Sequence, residues 1–217
     1  MRIHDPDVVY TDLGLALLGA FLAWRLWRYA ERGYLTNAGV IMMAGLASAA
    51  LFGAIFHAFF PANTASRAGY FAWVPVSLSI GLVSATLLAV GLRTLLPALS
   101  ALVRRGLVAA YVLLFAYVVL FVDQSYGMIV RFYAPTLLLF LVAAIRKAVR
   151  TSAKGWWLLS LSFVLSIFAA VLQQARVVLH EVYFDHNALY HVVQAVAIVV
   201  LYTGFRHVGA ENPERRA

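Results

Sequence analysis

The chain has 217 residues, 64% of them hydrophobic and only 12% charged, with no cysteine. A soluble domain is about 45–50% apolar and roughly 25% charged, so this composition excludes disorder, fibrous repeats and most soluble enzymes, leaving a polytopic membrane protein. The lack of cysteine removes disulfides, iron–sulfur clusters and thiolate metal sites. The net charge of +8 comes from bases at the ends of apolar segments, which reads as membrane topology rather than nucleic-acid binding.

A hydrocarbon core about 30 Å thick is crossed by about 20 helical residues. Seven segments qualify: 8–29, 36–60, 70–92, 106–122, 126–145, 156–179 and 188–205. The first is not a cleavable signal, because Asp5, Asp7 and Asp12 stand where a basic region is needed. The fourth is short, and the apolar stretch around Pro97 before it suits the membrane interface. Pro75 and Pro135 are expected only to kink their helices. Ser48, Ser77 and Ser79 are expected to bond to backbone or neighbouring helices, and the tryptophans near span ends to anchor at the interface. No internal repeat or domain linker is visible. The sequence therefore predicts an all-α, seven-transmembrane-helix bundle forming a single domain over 1–210, with a short tail at 211–217.

Arginine and lysine set the predicted orientation. Arg25, Arg28 and Arg32 follow span 1, and Arg93, Arg104 and Arg105 separate spans 3 and 4. Arg146, Lys147, Arg150 and Lys154 join spans 5 and 6, and Arg206, Arg215 and Arg216 end the chain. Thirteen of the seventeen basic residues thus share one side, against Arg2, Arg67, Arg131 and Arg176 on the other. This predicts an outside N-terminus and an inside C-terminus.

The polar residues within or beside the spans gather at the opposite, outer end. His57 lies near the end of span 2, Asp123 closes span 4, and Arg131 enters span 5. Gln173, Arg176 and His180 form an i, i+3, i+7 stripe on span 6, with Glu181 and Asp185 following. Asn187, His191 and Gln194 form an i, i+4, i+7 stripe on span 7, and His186 precedes them. Ionisable groups inside apolar spans face the bundle interior or a wet cavity, so one outward-facing polar chamber is expected. On span 2, Gly53, Ala49 and Ala50 are small enough to let another helix approach the His57 imidazole.

A metal site is the sharpest expectation for this chamber. Three imidazoles and a water make an open catalytic zinc centre, and His57, His186 and His191 are the best set, with His180 in reserve. His186 and His191 stand about 140° apart around a regular helix, so His186 can join only from an unwound helix start capped by Asp185 or Asn187. Asp123, Asp185 or Glu181 would then relay protons to or from a metal-bound water attacking an acyl carbonyl. Asp123 is also a candidate to pair with Arg131, and Arg176 with Glu181 or Asp185. The competing expectation is that the histidines only make interhelical hydrogen bonds.

Residues 172–180 read LQQARVVLH and residues 184–194 read FDHNALYHVVQ. Together with Gly53 and His57, these resemble a functionally uncharacterised prokaryotic family of seven-helix membrane proteins with an LQQxR…LH…FxHNxLYHxxQ pattern. The resemblance implies an integral protein of a prokaryotic plasma membrane. More distantly the chain is similar to the superfamily of alkaline ceramidases and progestin/adipoQ receptors. Those are seven-helix, zinc-dependent amide hydrolases with Ser-x-x-x-His on span 2, an Asp on span 3 and His-x-x-x-His on span 7. That resemblance implies zinc ligation by His57 and His191. Gly53 stands in place of the serine, Asn187 in place of the first span 7 histidine, and span 3 has no acid.

Three functions follow as expectations. The first is a zinc-dependent lipid amidase or acyl hydrolase working in the outer leaflet. The second is a non-enzymatic membrane module, either a lipid-binding receptor or a small subunit of a larger membrane complex. The third is a haem protein with His57 and a span 6 or 7 histidine as axial ligands. Membrane lipid is the expected partner, with other membrane subunits possible in the second case and nucleic acid in none. Retinal is excluded because Lys147 and Lys154 are the only lysines and both lie between spans. No nucleotide fingerprint or serine-hydrolase elbow is present.

Overall fold

In the computed structural model, residues 3–30, 33–60, 66–180 and 184–210 are described. They form seven helices: α1 (Pro6–Tyr29), α2 (Tyr34–Phe59), α3 (Arg67–Leu95), α4 (Ala101–Phe121), α5 (Tyr126–Thr151), α6 (Lys154–Gln174) and α7 (His186–Ala210). Each is long and apolar enough to cross a membrane. Local signals explain most of the starts. Pro6 occupies the first turn of α1, where its missing N–H is no loss. Ser66, Ser100 and Ser125 cap α3, α4 and α5 by accepting from the backbone N–H of Gly69, Val103 and Met128. Helices α3 and α5 run on through Pro75 and Pro135.

Six helices close a ring in the order α1, α2, α3, α5, α6, α7, and α2 also reaches α7 across it. Between apolar helices in lipid there is little hydrophobic drive, so close packing and polar ties hold the ring. Its core contains Leu26, Met42, Met43, Leu87, Phe140, Leu159 and Phe205, all fully buried. Leu17, Leu113, Phe121, Leu138 and Val149 are among the many large apolar side chains left on the outside, as lipid contact requires. Helix α4 stands outside the ring, packed on α3 and touching α5 only lightly. Phe115 of α4 seats against Gly81 of α3, where any β-carbon would collide with its ring. Phe132 of α5 packs edge-on to Phe115 at 5.3 Å, and Tyr111 adds a third ring.

Helices α4, α5 and α7 run beyond the expected spans, whereas α6 stops short. The predicted helix continues to 179, but α6 stops at Gln174. Val177 N–H bonds back to the Leu172 carbonyl at 3.1 Å and Arg176 N–H to the Gln173 carbonyl at 3.0 Å. Arg176 adopts φ 50, completing a left-handed C-terminal cap of a kind usually made by glycine. The chain then extends until His180 and Phe184 pair as an antiparallel bridge. Arg176 and His180 therefore leave the helical stripe expected for them and lie exposed.

The alternating helices give the molecule two chemically distinct ends. Arg25, Arg28, Arg93, Arg104, Arg105, Arg146, Lys147, Arg150, Lys154 and Arg206 lie at one, the basic end. At the other, the histidine end, lie Asp5, Asp7, Asp12, Asp123 and Asp185, together with His57, His180, His186 and His191.

Candidate functional site: a buried polar cluster at the histidine end

His191, on the second turn of α7, is buried against α1. Its Nδ1 lies 3.0 Å from Thr11 Oγ1, and its Nε2 lies 3.2 Å from Asp12 Oδ1. Two consecutive residues of the first helix thus grip both nitrogens of one imidazole on the last. The Thr11 hydroxyl is 2.9 Å from the Asp7 carbonyl and 3.0 Å from that of Val8. Its single hydrogen is directed to that backbone, one helical turn behind. The oxygen is then left to accept, which assigns the hydrogen on Nδ1 to the bond with Thr11. Nε2 and Oδ1 consequently hold one proton between them, and the pair carries no net charge whichever atom bears it.

Asp12 is only 4% exposed, and its second oxygen, Oδ2, has no hydrogen-bond partner among the described residues. That oxygen faces Gly53 of α2, where an added β-carbon would lie 3.1 Å from it. Glycine at 53 is what allows α1 to bring a carboxylate this close. The small-residue patch on span 2 does admit a neighbouring helix, but the group that enters is Asp12.

Around this core the polar residues tie α1, α6 and α7 together. Asp185 caps α7, its Oδ1 accepting from the N–H groups of Asn187 and Ala188 at 2.8 Å each. The Asp185 N–H in turn donates to Asp7 Oδ2 at 3.1 Å, linking that cap to the first turn of α1. Asn187 donates from Nδ2 to Asp185 Oδ2 at 3.2 Å and accepts from Gln173 Nε2 of α6 at 2.9 Å. Two helical turns deeper than Asn187, Gln194 Nε2 donates to Ser166 of α6 at 3.2 Å.

The expected zinc site does not form. Among the described residues, no group of three or more His, Asp or Glu side chains is arranged to hold a metal ion. His186 sits at the first position of α7 with Nδ1 3.6 Å from Asp185 of its own cap. His180 lies exposed beyond the end of α6. His191 has both nitrogens engaged by α1. His57 stands one turn past Gly53, within electrostatic range of His191, Asp5 and Asp185. Zinc as cofactor, and with it the ceramidase-like hydrolase chemistry that required it, is thereby corrected. The physical reason is that α1 intercepts the imidazole on α7 through Thr11 and Asp12.

The remaining candidates are placed as follows. Asp123 lies in the α4–α5 turn, away from the cluster, and Ser125 N–H donates to its Oδ1 at 2.8 Å. That hydrogen bond, aided by Arg131 at longer range, holds its carboxyl below the usual carboxylate range. Gln124 of the same turn accepts through its backbone carbonyl from Trp73 Nε1 at 3.0 Å. Glu181 lies outside the described residues. Thr11, Asp12, Asp7 and Ser166 were not among the candidates. For Asp12 a signal existed, since it stands inside the first apolar span, where an acid is a site candidate by default.

A ring of apolar helices clasped by buried polar pairs defines a seven-helix polytopic membrane protein. The chain belongs to DUF6962, a family of unknown function, which matches residues 8–210. No curated protein matches it, and no solved structure does. Family and helix count agree with the expected seven-helix family of unknown function, while nothing supports the specific ceramidase-superfamily pattern.

Proposed function

We propose that the protein is a non-enzymatic membrane module, either a lipid-binding receptor or a subunit of a larger membrane assembly. In this reading the cluster at the histidine end is a lock between its first and last helices. The supporting observation is the engagement of His191 on both nitrogens by Thr11 and Asp12. Both nitrogens are engaged by α1 of the same chain and the ring is buried, which suits a structural tie between helices. The neighbouring polar groups serve helix caps and interhelical ties in the same way. The positive-inside rule puts the basic end in the cytoplasm and the histidine end outside.

The test uses the purified protein in nanodiscs containing a total lipid extract, followed by mass spectrometry of the lipids. The expected result is an identical lipid profile with wild type and with the Asp12→Asn variant, in the presence or absence of a chelator. A lipid cleavage product formed by the wild type and missing from Asp12→Asn would sink the proposal.

A further inference from the structure

The basic end contains a cavity of about 570 Å³ at the mouth of the helix ring. Arg93 from α3 and Arg146, Lys147 and Arg150 from α5 all line it. Six other described cations at this end, Arg25, Arg28, Arg104, Arg105, Lys154 and Arg206, do not. General membrane anchoring accounts for bases spread around the rim, but not for four of them converging on one hollow against their mutual repulsion. Every described carboxylate side chain lies at the opposite end of the molecule, and no described carboxylate lines the cavity.

Two further features suit an anion. Helices α2 and α6 begin beside the cavity, at Tyr34 and Ala153–Trp156, and neither start has a side-chain cap. Helix N-termini of this kind favour negative charge through their free N–H groups. The Arg93 guanidinium stacks 4.3 Å over the Tyr34 ring, which holds it at the mouth. Apart from Thr94 and Thr151 the rest of the wall is apolar, with Leu35, Ala143, Trp156 and Val208. The site therefore offers a charged rim and a greasy interior at the ends of the spans, where lipid headgroups lie.

We infer that this cavity binds a phosphate group, carried by an anionic lipid whose acyl part rests on the apolar wall. Basic pockets between transmembrane helices recognise such headgroups through charge-assisted bonds from arginine, while an isolated surface base contributes only diffuse attraction. The cavity is at the other end of the bundle from the polar lock and does not depend on the absence of catalysis there.

The experiment measures thermal stabilisation of the detergent-purified protein, and lipid retention by native mass spectrometry. The probes are phosphatidylglycerol, phosphatidylcholine and inorganic phosphate. Three proteins are compared: wild type, Arg146→Gln/Lys147→Gln/Arg150→Gln, and a control with the same charge loss off the cavity, Arg25→Gln/Arg28→Gln/Arg105→Gln. Phosphatidylglycerol should be retained over phosphatidylcholine by wild type and control alike, and about tenfold or more weakly by the cavity variant. An Arg146→Lys/Arg150→Lys variant, which keeps the charge, should retain an intermediate amount and shows that loss is not misfolding. If inorganic phosphate stabilises wild type as strongly as the lipid does, and the cavity variant loses this too, the phosphate site stands with a soluble source. Equal losses in cavity variant and control, or no preference for phosphatidylglycerol, would overturn it.

Discussion

Asp12 and His191 are two residues whose separate roles are minor and whose contact defines the histidine end. The two contacts of His191, one with Thr11 and one with Asp12, make unequal mutational effects inevitable. An amide at position 12 still donates to Nε2, so Asp12→Asn should destabilise by only about 1 kcal/mol, the scale of interhelical hydrogen bonds in membranes. His191→Ala leaves a buried carboxyl facing a void and should lose about 2–3 kcal/mol. In a double-mutant cycle, read from unfolding in mixed micelles, the two should fail to add by about 1 kcal/mol. Simple additivity would mean the pair does not touch in the folded protein. The candidate histidines were visible as residues in the sequence. Their partner was not, because a contact 179 residues apart along the chain leaves no spacing to read.

At the scale of elements, apolar runs made most helix starts legible, but not the start of α4 or the ends of α5, α6 and α7. The stop of α6 rests on a left-handed arginine, with no glycine or proline to announce it. That single turn takes Arg176 and His180 away from the cluster. The closest approach of α4 to α3 is the seat of Phe115 on Gly81. Gly81→Leu should force the two helices apart and lower stability by about 1–3 kcal/mol, as overpacking does. Gly106→Leu, on α4 itself with nothing within 4 Å of its added β-carbon, should stay within about 0.5 kcal/mol of wild type. Thermal unfolding of the two variants in one detergent makes the comparison. Equal losses would show that α4 is not held at Gly81.

For the whole molecule, the absence of native cysteine provides a clean background for topology. Ala98→Cys at the basic end and Leu179→Cys at the histidine end both occupy exposed positions. Applied to intact cells, a membrane-impermeant thiol reagent should label only Leu179→Cys, and Ala98→Cys should react after lysis. The reverse pattern would invert the proposed orientation. Composition and the spacing of apolar runs were enough to define a seven-helix membrane protein, because crossing a bilayer imposes length and hydropathy one segment at a time. The division of bases to one end was equally plain, being a property of single residues beside single spans. Which helices become neighbours was decided only in three dimensions: α1 closes the ring against α7, α4 is left outside it, and four cations from α3 and α5 converge on one cavity. Those outcomes depend on close packing and on polar groups finding partners across the bundle, and both are relations between segments that no single stretch of sequence contains.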